Sequence, residues 1–336
     1  MSEAGEAASP LSRAVTDQAL SPSNDPALDA AVRRLVAATG SALTGLVFFG
    51  SRRTGAARKD AWSAHDAFVV VEDYRGFYEA LSRAGLTGKR PGLMELVSVW
   101  LPPTQYSLRF EDLGIHVKAA VVRYDTYRRE TSAHRRDHFC IGRLFQPTRL
   151  LHARDEAARQ GILDGLIEAH RATWAWSRPW LPERFDADAY GRSALRTSMR
   201  WEVRPEPTGR ADVLWEAQRP LQLPVLDLLL EELAERGELV PVPGESRQWE
   251  KTRPVGAGER LSLELYFRRS IVRATSRWLK HTVTFEGWLD YILRKANRHT
   301  GEPVELTERE RRWPWIFLWG RLFRYLRTKN RKGSPS

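Results

Sequence analysis

The chain has 336 residues, 42% of them apolar and 28% charged, with a net charge of +11; that length gives room for about two domains and a substantial core. Its one cysteine, Cys140, excludes a disulfide framework and reads as a core thiol within an apolar run. The charge points to an anionic partner, but nine Lys/Arg against one Glu in residues 309–332 carry most of it, so nucleic acid is not the expected partner. No window reaches the roughly 18–20 continuous apolar residues of a transmembrane helix.

Residues 1–28 hold several acids and no apolar core. They make neither a secretion signal nor a transit peptide, and they are expected to be disordered. Residues 29–38 have helical spacing and lead into Leu46-Val47-Phe48-Phe49, a short buried strand ending at Gly50-Ser51. After a basic loop, a second strand, Phe68-Val69-Val70-Val71, is preceded by Asp66 and closes on Glu72-Asp73. A small Gly-Ser turn lets backbone N–H groups approach phosphate oxygens, and an Asp on the adjacent strand is placed to hold a Mg²⁺ that bridges them. The same residues also fit a plain two-strand unit in which Asp66 only opens a strand. His65 is expected to be structural.

Residues 77–84 read as a helix ended by Gly85, and 97–101 as a strand stopped by Pro102-Pro103. Residues 106–110 and 115–123 alternate as strands around a turn at 112–114, with Lys118 on the second. A charged helix is expected over 124–138. Apolar residues then surround Gly142-Arg143, followed by a Pro147 turn and a short final strand. Together these predict an α+β core, a mixed sheet with flanking helices. Beyond it, helices are expected at 154–176, 188–200, 225–236 and 278–298, with β-like runs at 240–243 and 261–267. The eight histidines show no metal-ligand spacing.

On a helical wheel of residues 313–332, Trp315, Leu318, Trp319, Leu322, Tyr325 and Leu326 gather opposite Arg321, Arg324, Arg327 and Arg331. Aromatic and leucine residues facing away from a basic side describe a helix lying on an anionic bilayer, each basic residue contributing roughly 1 kcal/mol. A terminal helix docked on the protein's own core has the same pattern.

Four stretches in order carry a family resemblance: Phe49-Gly50-Ser51 with Asp66; Gly114-Ile115-His116-Val117-Lys118; Ile141-Gly142-Arg143-Leu144-Phe145-Gln146-Pro147-Thr148-Arg149; and Leu279-Lys280-His281-Thr282-Val283-Thr284-Phe285. In these the chain resembles the mitochondrial-type phosphatidate cytidylyltransferases, the translocator assembly and maintenance family of CDP-diacylglycerol synthases. The resemblance implies a nucleotidyltransferase-like mixed sheet over 29–155, a mainly helical, winged-helix-like domain over 156–300, and a basic membrane-binding tail over 301–336. It implies Mg²⁺-dependent reaction of CTP with phosphatidate, by a cytoplasmic enzyme peripheral on the inner face of the cell membrane. Asp66 is then the principal Mg²⁺ ligand, with Glu202 or Glu72 as a second. Gly50 and Ser51 cradle the triphosphate, and Lys118 and Arg143 neutralise the triphosphate or the phosphatidate headgroup.

The chain departs from the wider superfamily at Phe68, where a second acid is usual, and from the named family at Trp201-Glu202-Val203-Arg204 and Gln146. Lys118 also fits a solvated strand face, and Glu72-Asp73 a polar strand end. Transfer to another acceptor, or a degenerate member that only binds an anionic surface, remain as alternatives.

Overall fold

Strands buried on both faces need no alternation, because each side chain meets a core whichever way it points. This explains the continuous apolar runs of β1 (Leu43–Phe49) and β2 (His65–Val71), which lie inside a five-stranded mixed sheet. The sheet is completed by β3 (Thr104–Phe110), β4 (Ile115–Arg123) and β5 (Arg149–Ala153), in the order β3-β4-β2-β1-β5. β2 and β4 run parallel and the other neighbours antiparallel. The computed structural model describes residues 8–55, 64–202, 209–284 and 307–312.

One sheet face is covered by α2 (Pro26–Thr39), α3 (Tyr74–Arg83) and α4 (Pro91–Val99), which pack Leu28, Leu35, Phe77, Tyr78 and Met94 against Phe48, Val69 and Val121. The other face meets α1 (Pro10–Ala19), α5 (Tyr124–Thr131), α6 (Ile141–Leu144) and α7 (Glu156–Ser177). Its core runs without a break from Val47, Phe68 and Val122 through Ile162 and Trp176 into α8 (Ala187–Arg200) and α9 (Arg210–Glu235). A small antiparallel sheet, ordered β6-β8-β7, joins β6 (Arg184–Phe185), β7 (Leu239–Pro241) and β8 (Trp249–Lys251). The long helix α10 (Ala257–Thr284) follows. All of these elements belong to one compact unit. Residues 286–336 belong to another, of which the described part is the helix Glu308–Arg312, closed by a capping box in which Thr307 and Glu310 exchange hydrogen bonds.

Several expectations are corrected. Residues 10–19 are not disordered: Ser9 caps α1, Pro10 starts it, and Leu11, Val15 and Ala19 form a fully buried stripe one helical turn apart. The run at 97–101 is the end of helix α4 rather than a strand, since Met94 and Ser98 are the buried pair at i, i+4. The run at 261–267 lies inside α10. There the alternation of Leu261-Ser262-Leu263-Glu264-Leu265 is incidental, and Phe267, Ser270, Arg277, Lys280 and Thr284 mark the buried face at helical spacing. The charged helix expected to 138 stops at Thr131, and α9 begins at Arg210, well ahead of the expected 225, despite Pro220 and Pro224 within it.

The crossing of α8 and α9 depends on a missing side chain. A Cβ on Gly191 would stand 2.0 Å from Trp215 Cη2 and 2.6 Å from Leu226 Cδ1, and Trp215 is itself pinned by its indole N–H donating to Asp188 at 3.1 Å. Gly191→Ala is therefore expected to destabilise the fold by about 1–3 kcal/mol through overpacking, seen as a lower urea midpoint with an unchanged denaturant slope.

Candidate functional site

β1 ends at Phe49, which lies opposite Asp66 on β2; Asp66 in turn lies opposite Lys118 on β4, and Lys118 opposite Ser107 on β3. Paired residues share a face, so Asp66, Lys118 and Ser107 line one side of the sheet at one end. Ser107 is within 2.8 Å of His116 Nε2. The turn after β1 folds against this row. Gly50 has φ +86°, and a Cβ there would come 2.9 Å from Asp66 Oδ2. A glycine is thus required twice, by backbone conformation and by the carboxylate beside it. Arg53 N–H donates to Gly50 O at 3.0 Å to close the turn. The sequence-predicted residues Gly50, Ser51, Asp66 and Lys118 are brought to the same end of the sheet.

Phe68, where a second acid would stand, is fully buried. It is 5.1 Å from the Phe49 ring and 6.1 Å from Phe139. A carboxylate there would be an unpaired charge in a core. The other expected acids lie elsewhere. Glu72 is six residues along β2, about 20 Å by strand rise, where it is exposed and accepts from Arg154 at 2.7 Å. Asp73 caps α3 through Gly76 N–H. Glu202 and Arg143 are joined to each other: Arg143 Nη1 and Nη2 donate to the two Glu202 oxygens at 3.1 and 2.9 Å, and the guanidinium lies 3.8 Å from the centre of the Phe139 ring. Glu202, expected as a metal ligand, and Arg143, expected as a phosphate cation, are thus paired with each other in a largely buried place. Gly142 beside it has a packing role, since a Cβ there would meet His138 and Ser198 at 2.7 Å. Gln146, at the position of a family lysine, donates to Gly142 O.

His65 points to the opposite sheet face, buried and within 3.2 Å of Asp25 Oδ2. Burial lowers its pKa, opposed by the bond to Asp25. This fits a structural part.

One charged group escaped the sequence reading. Asp137, 1% exposed, accepts from Arg273 Nε at 2.8 Å and from Arg277. Burial works to raise its carboxyl, but Arg277 and then Arg273 hold it below the usual range. Arg277 also donates to the carbonyls of Leu101 and Pro102, and Lys280 donates to Leu101 O at 2.8 Å and Thr104 Oγ1 at 3.0 Å. These bonds clamp α10 onto the loop before β3, where Leu101 is held at φ +54°. The only signal in the sequence was Lys280 in its matched stretch. Among the described residues, no three His, Cys, Asp or Glu gather as a metal cluster, and no helix is long and apolar enough to cross a membrane. The tail residues Trp315, Trp319, Leu322, Arg321, Arg324 and Arg327 lie outside the described residues, as does most of the helix expected at 278–298.

Gly50→Ala is expected to cost about 1–3 kcal/mol for the forced positive φ and to push the Asp66 carboxylate aside, the loss of stability being measured by thermal unfolding. A second test is pH. Burial, aided by Arg277 and Arg273, pushes the Lys280 ammonium down to about 7 from the ordinary 10.5. Across that window the unfolded chain binds the proton more readily, so stability rises with pH. Lys280→Met should flatten this rise, compared by urea unfolding at about pH 7 and about pH 9. Neither protein-family models nor curated proteins compared with this chain give a match.

Proposed function

We propose that the protein is a Mg²⁺-dependent nucleotidyltransferase that makes CDP-diacylglycerol and pyrophosphate from CTP and phosphatidate at a membrane surface. The observation that carries this reading is the glycine turn closed against the Asp66 carboxylate, with Lys118 in register on the next strand. One carboxylate suits Mg²⁺, which keeps several waters and takes further oxygens from substrate phosphates; Asp66 fits that role, and Glu202, held by Arg143, does not. Bound there, Mg²⁺ would neutralise phosphate charge and align the two reacting groups.

The work left to the chain is positioning and charge. Gly50 and Ser51 offer a small turn to the triphosphate, and Lys118 supplies a fixed cation beside it. A phosphatidate phosphate oxygen attacks the α-phosphorus of CTP, a new P–O–P linkage forms, and the bond to the β-phosphate oxygen breaks to release pyrophosphate. The acceptor is already an anion, so no base has to remove a proton. Nucleotidyltransferase-like architecture in the sheet, and a winged-helix-like character in the helices and small sheet after it, belong to the same reading. So does the basic, Trp-rich tail, which gives a peripheral protein a means of reaching a bilayer acceptor.

A second reading has its own support. With Phe68 in place of an acid and Glu202 committed to Arg143, the chain also fits a binding module that grips a nucleotide or anionic surface without turnover. Labelled CTP, phosphatidate vesicles and Mg²⁺ separate the two. CDP-diacylglycerol should form, and Asp66→Asn should lower the rate by at least about 100-fold while leaving the fold intact. Saturable CTP binding with no product, beside a working control enzyme, would favour the module; product formed with ATP and another acceptor would redirect the substrate assignment.

A further inference from the structure

Around the edge of the sheet from Asp66, two arginines come together without a counter-ion. Arg149 opens β5 and lies opposite Phe48 on β1. Because Phe48 belongs to the core under α2, Arg149 is on the opposite sheet face from Asp66, though at the same end. Arg53, in the turn after Gly50, reaches the same edge and donates through Nη2 to Ser21 Oγ at 3.1 Å. Ser21 is in the link between α1 and α2. The Nε atoms of both arginines are shut off from solvent and have no hydrogen-bond partner. Among the described residues neither guanidinium has a carboxylate within ion-pair distance; Asp29 attracts Arg149 from farther off.

Two guanidiniums this close repel each other, and each has lost part of its hydration. Burial lowers the proton affinity of Arg53, with the neighbouring Arg149 adding to the effect; burial lowers that of Arg149 too, against a weaker attraction from Asp29. With no carboxylate within ion-pair distance among the described residues, the pair carries charge that an anion from outside the chain would neutralise. A phosphate group matches the two guanidiniums. It carries nearly two negative charges at neutral pH and several acceptor oxygens, and guanidinium forks grip it with paired N–H donors; the Ser21 hydroxyl, which donates to Gln18 O at 2.8 Å, serves to hold Arg53 in place.

We propose that Arg53 and Arg149 form a binding site for a phosphate group, separate from the Asp66 end-face and set on the other side of the Gly50 turn. The site does not depend on the cytidylyltransferase reading, since its occupant is either free phosphate or the headgroup of a phosphate-bearing lipid.

The test is thermal unfolding of the full chain in sodium phosphate against sodium chloride of equal ionic strength. Phosphate should raise the midpoint by about 2–4 °C at concentrations well above its dissociation constant. Arg149→Met and Arg53→Met should each abolish that rise. In chloride, both variants should be at least as stable as the parent, because removing one guanidinium relieves the repulsion; arginines with a purely structural part would lose stability in both salts. Arg53 lies in a surface turn, so its variant keeps the test alive if Arg149→Met does not fold. Asp66→Asn should retain the full rise, which separates this site from the proposed catalytic one. Monomeric dihexanoyl phosphatidate in a third arm identifies the source: a rise at roughly tenfold lower concentration than inorganic phosphate assigns a lipid headgroup, and an equal or weaker one assigns free phosphate. No advantage of phosphate over chloride in the parent, or a rise that survives both arginine variants, would overturn the proposal.

Discussion

A sheet covered on both faces leaves few places along its strands where a charge can stand. That constraint governs the whole unit. β1 and β2 spend nearly every side chain on one core or the other, so polar chemistry is pushed to Asp66, Lys118 and the turn that starts at Gly50. The turn is close because residue 50 has no side chain, and the aspartate is held in place because its neighbours along the strand, Ala67 and Phe68, are locked into opposite cores. A phenylalanine at 68 is thus a product of two-sided burial: the wall behind the site is hydrophobic, so the carboxylate stands alone there.

Charges that do enter the interior come in satisfied groups. Arg143 and Glu202 meet fork to fork over Phe139, and Asp137 is shared by Arg273 and Arg277, the latter also lying over the Phe139 ring. Removing one member of such a group leaves a stranded charge, at a cost of about 3–5 kcal/mol. Phe139 joins the groups physically, since it touches two guanidiniums and the Phe68 ring. The Arg53–Arg149 pair differs from them in having no carboxylate within ion-pair distance among the described residues.

The parts legible in the sequence were those where burial writes a pattern in a short window. The strands at 46–49, 68–71, 106–110 and 115–123 and the helices α7 and α8 stand near where periodicity put them. The strand pair and its glycine turn were readable because two-sided burial and positive φ both leave marks on residue type. What could not be read depended on distant partners. Arg143 and Glu202 are 59 residues apart, and each alone resembles a functional charge. Lys280 lay in a stretch matched to a family, yet its part as a clamp on Leu101 is visible only once α10 is placed against β3. Alternation misled at 261–265 because two of the three leucines, Leu261 and Leu265, are on the exposed side of the helix. The first helix was missed since three buried residues among serines and acids are a weak signal until Glu232 and Leu221 are seen to receive it.

The grip of α10 on the loop before β3 has a mechanical consequence. α10, which ends at Thr284, is the last element of this unit, so tension applied to the later chain enters the unit through α10. Arg277 and Lys280 would transfer that load sideways to the carbonyls of Leu101 and Pro102, and from there into the outermost strand.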